Sequence, residues 1–400
     1  MDPRRTVDAI WRIESHRIVA RLARMVGDVG VAEELAHDAL LTALERWPDA
    51  GVPENPGAWL MMVAKNRAID RLRRDARQDD GGIPDVAAPE HDTDDVVRDD
   101  MLRLVFVACH PVLSTDARVA LTLRLVTGLT TREIARAFLV PDATMAQRIV
   151  RAKRTLADAR VPFEVPARAE LTARLGSVLD VIYLVFNEGY AATAGDDWHR
   201  PALCADALRL GRILAGLAPE EAEVHGLVAL MELQASRTRA RVGPGGEPVL
   251  LLEQDRSRWD GAQIRRGLQA LDRAAKLGFG PIGLQAAIAA CHARARTADD
   301  TDWRHIAALY AALGRMAPSP VVELNRAVAV SRVDGPEAAL AIVDGLADAL
   351  AGYHLLPSVR ADLLIRLGRA EEAQEELRRA ADLTQNAQER AMLLRRRDAL

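Results

Sequence analysis

Residues 129–156 read LTTREIARAFLVPDATMAQRIVRAKRTL, and their pattern decides the fold of the first half of the chain. Thr130 or Thr131 can cap a helix start, because a side-chain oxygen there accepts from first-turn amides that have no partner in the helix. Glu133 stands near the position from which a carboxylate reaches back to complete a capping box. Ile134, Ala135 and Phe138 fall on one face. Pro141 lacks a backbone N–H and forbids one continuous helix, so a second helix begins at Asp142 or Ala143. In it Met145, Ile149, Ala152 and Leu156 recur at three- and four-residue spacing and form the inward stripe. Thr144, Gln147, Arg148, Arg151 and Arg154 fall toward the other faces. A recognition helix needs this division, an apolar back that seats it and a polar front that reads base edges and phosphates. On pattern alone the segment is either a helix-turn-helix or an ordinary helical hairpin with a solvated basic face.

The rest of the chain, 400 residues in all, has room for two to four domains at roughly 100–200 residues each. Aromatic residues make up only 4%, while Ala, Leu and Arg dominate, a composition that favours helix over strand. The formal net charge of −4 is unusual for a nucleic-acid binder, but the average conceals segregation. Residues 101–160 hold ten Lys or Arg against Asp116, Glu133, Asp142 and Asp158, whereas residues 75–100 hold ten acids against Arg77 and Arg98. Charge asymmetry between segments is the informative quantity. No run of about 18 uncharged apolar residues exists, and the charged start MDPRRTVDAIWRIESHR lacks the apolar core of a signal peptide. A cytoplasmic protein without membrane contact is expected. Cys109, Cys204 and Cys291 are too few and too far apart for a disulfide framework or a zinc knuckle. In Cys109-His110 and Cys291-His292 adjacent side chains on a helix point apart, so neither a metal nor a cofactor is expected.

Residues 5–47 read as helices, with Ile10, Ile13, the stem of Arg17, Val19, Leu22 and Val26 inward, a break at Gly27 and Gly30, and a second helix from Val31 to Trp47. Pro48, Gly51, Pro53 and Pro56 make a loop, and Asn55 or Pro56 starts a helix over Gly57 to about Arg74. Residues 75–100, with Gly81, Gly82, Pro84, Pro89 and many Asp, read as an acidic flexible linker. Helical pattern returns over 101–160 as four short helices, and over 168–400 with loops at 193–200, 236–248 and 295–302. Gly335 in VDGPEAALAIV and Gly368 in LGRAEEAQEEL, 33 residues apart, each open a helix, a period that suits tetratricopeptide-like helix pairs.

Residues 129–156 resemble region 4 of the extracytoplasmic-function (ECF) sigma factors at Leu129, Glu133, Ile134, Ala135, Pro141, Thr144, Arg148, Arg151, Ala152 and Leu156, without a gap. Leu139 and Ala143 stand where that family usually has Gly, and Gln147 where it has Ser. Residues 32–47, AEELAHDALLTALERW, resemble the region 2.2 helix, with His37-Asp38 where Gln-Glu is usual. Residues 55–74, NPGAWLMMVAKNRAIDRLRR, resemble regions 2.3 and 2.4. The resemblance covers residues 1–160, and nothing like sigma regions 1.1 or 3 fits between its two parts. It implies an all-α protein made of a region 2 bundle over 1–74, a linker over 75–100, a region 4 helix-turn-helix over 101–160 and a helical regulatory extension over 161–400. It also implies partners: core RNA polymerase, through its β′ clamp helices and β flap, and promoter DNA. Glu34, His37, Asp38, Leu41 and Glu45 would bind polymerase. Lys65, Asn66, Arg67, Arg71, Arg73 and Arg74 would open and read the −10 element, and Thr144, Gln147, Arg148, Arg151 and Arg154 the −35 element. The residue chemistry agrees. The cations hold strand phosphates, Asn66 can hydrogen-bond an unstacked base edge, and the loop over 48–56 can frame a pocket for a flipped base. Taken alone, 65–74 reads as a solvated helix with an Asp70–Arg74 pair, and Trp47 and Trp59 read as core.

The extension carries weaker signals. Phe186 to Tyr190 (FNEGY) and Arg256 to Asp260 (RSRWD) are polar-aromatic clusters that read either as ligand or interdomain contacts or as caps and anchoring aromatics. Gly243-Pro244-Gly245-Gly246 lacks the Lys and Ser or Thr of a phosphate loop. Asp196, Asp197 and His199 read as a surface loop, with no nucleophile beside them. Repeat-type layers present a groove, so the extension is expected to regulate the sigma domains by packing on them or by binding a regulatory protein. The competing readings are a one-component regulator with a helical sensor domain and an enzyme housed in 161–400; the chain as a whole reads as a binding protein, not an enzyme.

Overall fold

The computed structural model describes residues 3–78, 94–138, 140–166, 168–191, 194–195, 200–244 and 247–400. The protein is all-α. Among the described residues the only strands are two residues each, β1 (Ala194–Gly195) and β2 (Gln385–Asn386), paired in parallel. The helices divide into two compact units, residues 1–184 and 185–400.

In the first unit, α1 (Pro3–Val26) ends at Gly27, whose positive φ of 72° turns the chain without a Cβ penalty. Asp28 caps α2 (Val29–Ala50) by accepting from the amides of Gly30 and Val31 at 2.6 and 3.0 Å. Gly30 therefore lies in the first turn of α2 and is not a break. Asn55 Oδ1 accepts from Ala58 N at 3.0 Å, with Pro56 opening α3 (Pro56–Gln78). The expected inward face of α1 needs correction. Ile13 is 60% exposed and Arg17 also faces out, while Ser15, His16, Ile18 and Ala23 join Val19 and Leu22 inside. The reason is that α1 packs against several helices, α2 and α3 on one side and α4 and α5 on another.

Four helices follow, as expected: α4 (Asp94–Ala108), α5 (Thr115–Val126), α6 (Thr131–Ala137) and α7 (Asp142–Asp158). The linker boundaries are corrected. Helix α3 runs into the acidic segment as far as Gln78 and α4 begins at Asp94, so residues 75–78 and 94–100 are helical; residues 79–93 lie outside the described residues. Asp100, one acid of that run, is only 2% exposed and contacts Arg21 at 3.5 Å, Arg24 at 3.7 Å and Arg103 at 2.8 Å. It ties α4 to α1. The expected boundary at 160/161 also moves. Helix α8 (Arg168–Tyr190) starts within the first unit, where Arg174 donates to Phe106 O at 3.2 Å, Ser177 donates to Cys109 O at 3.1 Å and Arg118 bonds Ser177.

The second unit holds α9 (Pro201–Leu217), α10 (Ala222–Ala235), α11 (Gly261–Leu277), α12 (Pro281–Arg294), α13 (Trp303–Met316), α14 (Pro320–Val333), α15 (Pro336–Asp344), α16 (Leu355–Arg366), α17 (Ala370–Leu383) and α18 (Ala387–Asp398). From α13 onward each helix packs chiefly on its sequence neighbours, the arrangement of a helical solenoid. The repeat seen in the sequence is real in the packing. Buried Ala327, Val330, Ala339 and Val343 recur as buried Ala361, Leu364, Ala373 and Leu377, a constant offset of 34 residues. The small alanines let the paired helices approach closely. Gly335 and Gly368 turn between the paired helices with φ of 98° and 73°. Their spacing is one residue short of the packing period because α17 opens after Leu367-Gly368-Arg369 and α15 directly after Gly335.

These conformations set opposite outcomes for two Gly→Ala changes. At Gly368 a Cβ meets open space but a left-handed backbone, so Gly368→Ala should lower stability by roughly 1 kcal/mol. At Gly216, in the last turns of α9 with open space and ordinary φ, Gly216→Ala should raise it by about 0.5 kcal/mol. Urea unfolding of the two variants beside the parent chain checks both signs.

Candidate nucleic-acid interface

The helix-turn-helix forms as its sequence directs. Glu133 accepts from Thr130 N and Thr130 Oγ1, both at 2.8 Å, and Glu133 N donates back to Thr130 Oγ1 at 3.2 Å. This is a complete capping box on α6. Helix α7 starts at Asp142 behind Pro141 and buries Met145, Ile149, Ala152 and Leu156. Its other side exposes Thr144, Gln147, Arg151 and Arg154. Arg148 is half-buried and reaches Asp116 at 3.3 Å. Thr144, Gln147, Arg148, Arg151 and Thr155 line one wall of a groove of about 350 Å³, with Val112 and Ser114 of the α4–α5 turn opposite. All five predicted −35 side chains are thus on α7, four of them open to solvent. Leu139 lies outside the described residues.

On α3, Asn66, Arg73 and Arg74 are exposed, and Lys65, Arg67 and Arg71 are half-buried. Arg67 donates to Thr42 Oγ1 at 2.9 Å and pairs with Asp38 at 3.0 Å, while Arg71 lies 3.8 Å from Glu34. Arg74 donates to Asp70 O at 3.2 Å. The ion pairs are 41–72% exposed, a setting in which a pair contributes at most about 1 kcal/mol, so an incoming phosphate can replace the carboxylate. Trp47, 3% exposed, packs edge-on against Trp59 with ring centroids 5.4 Å apart; Trp47 is core.

On α2, Glu34 and Glu45 are exposed, Leu41 is 56% exposed and Asp38 half so. Glu34, Asp38, Leu41 and Glu45, spaced four, three and four residues apart, share one face of α2. His37 is turned away from that face. Its Nδ1 lies 2.9 Å from Glu33 O and its Nε2 2.7 Å from Arg124 Nη2. Because the guanidinium can only donate, Nε2 accepts from Arg124 and Nδ1 donates to the Glu33 carbonyl.

Sequence reasoning missed Glu33. It is 5% exposed on α2 and holds two cations, Arg124 of α5 through Nε at 2.5 Å and Lys153 of α7. Burial alone would raise its carboxyl. Lys153 and Arg124, with the Lys153 hydrogen bond and His37, outweigh burial and hold it below the usual carboxylate range. In sequence it is one of two adjacent glutamates on an amphipathic helix, with nothing to mark which turns inward.

In the second unit the two polar-aromatic clusters come together, and both are internal. Arg237 donates to Tyr190 OH at 2.5 Å, and the guanidinium of Arg241 lies 3.5 Å from the Tyr190 ring centre. Arg237 and Arg256 sit over Trp259 at 5.7 and 4.8 Å. Arg256 binds the carbonyls of His292 and Ala295 and the hydroxyl of Thr301. Burial, followed by Arg237 and Arg256, pushes the His292 imidazole down to about 4, so it is neutral at neutral pH. Trp259 is 8% exposed. These aromatics therefore fasten the segment 236–260 to α8 and α12, and the reading as anchors holds over the reading as an open contact. The Cys109 thiol shares a hydrogen bond with Thr122 at 3.2 Å, and burial pushes it up to about 11. Among the described residues no three His, Cys, Asp or Glu gather to hold a metal, and no helix is long and apolar enough to cross a membrane. Asp196, Asp197, His199, Gly245 and Gly246 lie outside the described residues.

With this geometry in view, residues 12–78 match sigma-70 region 2 and residues 103–156 match sigma-70 region 4, while residues 174–275 match a family of unknown function, DUF6596. A two-part, sigma-70-type initiation factor is the class these matches define. An uncharacterized protein of Rhizobium meliloti (strain 1021) is 46% identical over 389 residues, 95% of this chain and 92% of that one. A probable ECF RNA polymerase sigma factor of Mycobacterium tuberculosis, SigI, is 30% identical over 200 residues, 46% of this chain and 68% of its own. The RNA polymerase sigma-H factor of Pseudomonas aeruginosa is 27% identical over 174 residues, 40% of this chain and 88% of its own. The chain belongs to the ECF subfamily of sigma-70 RNA polymerase sigma factors.

The fastening role of Trp259 has a measurable consequence. Trp259→Ala, which empties a buried ring site between two guanidinium groups, should destabilise the protein by about 3–5 kcal/mol. Thermal unfolding of the full chain reads it; an unchanged midpoint would return Trp259 to the open-contact reading.

Proposed function

We infer that this sigma factor attaches to core RNA polymerase through the exposed face of α2, opens and reads −10 DNA with α3, and reads −35 DNA with α7. The single observation that carries the inference is the division of α7. Met145, Ile149, Ala152 and Leu156 are seated while Thr144, Gln147, Arg151 and Arg154 are presented, which suits a major-groove reader. The role is binding and positioning; the chemistry of RNA synthesis belongs to the polymerase. On α2, Glu34, Asp38, Leu41 and Glu45 form the polymerase face, with His37 beside it. On α3, Lys65, Asn66, Arg67, Arg71, Arg73 and Arg74 take strand phosphates and an unstacked base. The clamp helices of β′ and the flap of β are the polymerase elements that the family resemblance offers for α2 and region 4. The solenoid of the second unit modulates this activity, either through a bound regulatory protein or within the chain.

Full-length protein added to core polymerase should start transcription from its promoter, and a truncation should end at residue 184, not 160, to keep the first half of α8 on α4. Comparing the two gives the sign of the extension's effect. If neither binds core enzyme, an operator-binding regulator becomes the better description.

Individual side chains should separate. Leu41→Ala removes an exposed apolar contact and should weaken core binding by about 1–2 kcal/mol, leaving the fold intact. Gln147→Ala should relax base preference at one −35 position by about 1–3 kcal/mol. Arg154→Ala should instead weaken binding to all sequences and reduce the slope of log K against log salt by about 1. Titrations of the polymerase complex against promoter variants at several salt concentrations distinguish these outcomes.

A further inference from the structure

Helices α9 and α11 both pack on α10. Between them, over the end of α10, lies a groove of about 720 Å³. That volume falls in the range of small-molecule sites, roughly 300–1,000 Å³. Its floor is apolar. Cys204, Leu208 and Ala235 are buried there, with Ala205 beside them on α9. Burial pushes the Cys204 thiol up to about 12, so the sulfur is neutral surface and not a nucleophile.

The groove is bounded at both ends. Arg212 stands one helical turn past Leu208, and Glu232 one turn before Ser236. Arg212 and Arg266 meet on Glu232, at 2.9 and 3.1 Å through Nε, and so bridge α9 to α11 across α10. At the other end, where the chain leaves α10, the groove is lined by Thr238, Arg239, Val242 and Gly243. A peptide running along the groove would meet the bridge, whereas a short molecule lies within it.

The electrostatics select the sign of the occupant. The lining residues include Arg239, Arg258 and Arg266 against a single acid, Asp260. Asp260 is committed as the cap of α11, its Oδ1 accepting from Ala262 N and Gln263 N at 2.8 and 3.0 Å. Glu232 meets two guanidinium groups with one charge. Arg239 and Arg258 are exposed, and among the described residues neither side chain forms a hydrogen bond or a contact ion pair. An exposed arginine is ordinarily a solvated one; these two differ in their mount. The single turns that carry them, Thr238–Ala240 and Arg256–Arg258, pack on each other. Asp260 N donates to Ser236 O at 2.9 Å, and the ring of Trp259 is held between Arg237 and Arg256. Two guanidinium forks on one fixed rim are preorganised for an oxyanion. Gln263, half-buried on the α11 wall, adds an amide donor.

We propose that this groove binds a small amphipathic organic anion, its apolar body on Cys204, Leu208 and Ala235 and its carboxylate or phosphate on Arg239 and Arg258. The second unit thereby has a ligand of its own. This goes beyond the promoter reading and stands independently of it, since binding is measured without polymerase or DNA.

Octanoate and octyl phosphate are the probes, because Pro201 to Leu208 span about 10 Å of α9, the reach of an octyl chain. In titration calorimetry of the full-length protein both should bind one to one. Octyltrimethylammonium, with the same chain and the opposite charge, should not bind. Arg239→Gln with Arg258→Gln removes charge from two exposed positions and should weaken both anions about tenfold or more. Ala205→Trp, which fills the groove from an exposed position on α9, should do the same with every charge kept. An unchanged unfolding midpoint in each variant shows that the fold is intact. Failure of both anions to bind at millimolar concentration overturns the site, as does equal binding of the cation or binding that survives both sets of substitutions. Inorganic phosphate that binds as tightly as octyl phosphate reduces the groove to a surface charge contact and overturns the proposal too. Hexaglutamate that binds where both octyl anions fail makes the groove a docking site for an acidic peptide instead of a small ligand.

Discussion

A carboxylate carried out of water costs several kcal/mol unless cations and donors replace its hydration, and removing one partner of such a cluster leaves that cost uncompensated. This chain uses the device repeatedly, and its helix-to-helix geometry depends on it. Glu33 joins α2 to α5 and α7. Asp100 joins α4 to α1 through Arg21 and Arg24. Glu232, 1% exposed on α10, receives Arg212 of α9 at 2.9 Å through Nε and Arg266 of α11 at 3.1 Å. In each case one acid is held by cations from other helices, all of them arginines except Lys153. A chain with only 4% aromatic residues has few large side chains to lock helices in register. The planar, multi-donor guanidinium supplies the directionality instead.

That use of arginine explains why charge counting overstated the DNA footprint. Of the ten cations in residues 101–160, Arg103 is turned to Asp100, Arg124 and Lys153 to Glu33, and Arg118 to Ser177 and Thr115. They are structural. Arg151 and Arg154 on α7 are exposed, Arg154 in an open pair with Asp158 at 3.6 Å, and Arg148 is half-committed to Asp116. The acidic run preceding the segment divides in the same way, since Asp100 belongs to the interior and not to a solvated linker. Regional charge overcounts the cations that stand on the surface. It summed two populations that only a three-dimensional arrangement separates.

Most of the fold was legible where the signal is local. The capping box at Thr130 and Glu133, the stop at Pro141, the α7 stripe, the Asn55–Pro56 start of α3 and the Gly335 and Gly368 turns are all short-range chemistry, and each appears as its residues direct. The residues proposed to read −35 DNA fall together on α7 because a helix period fixes which side chains share a face. What was not legible is long-range. Nothing in a row of two glutamates marks Glu33 as the buried one, since its partners lie 91 and 120 positions away. Residues 190 and 259 read as separate clusters until Arg237 and Arg256 bridge them. The helical starts of the 161–400 extension were visible, but the packing of α8 on α4, which moves the boundary to 184, depends on Arg174 finding the Phe106 carbonyl.

The two units therefore rest on different kinds of order. In the solenoid, small alanines recur every 34 residues and each helix meets its neighbours in sequence, so stability accumulates locally and a substitution is felt by adjacent helices first. In the first unit the decisive contacts join residues far apart in sequence and are concentrated on a few ionised groups. Order of the first kind resists change piecemeal. Order of the second kind can be lost in one step, because cations that share one carboxylate lose their common partner together.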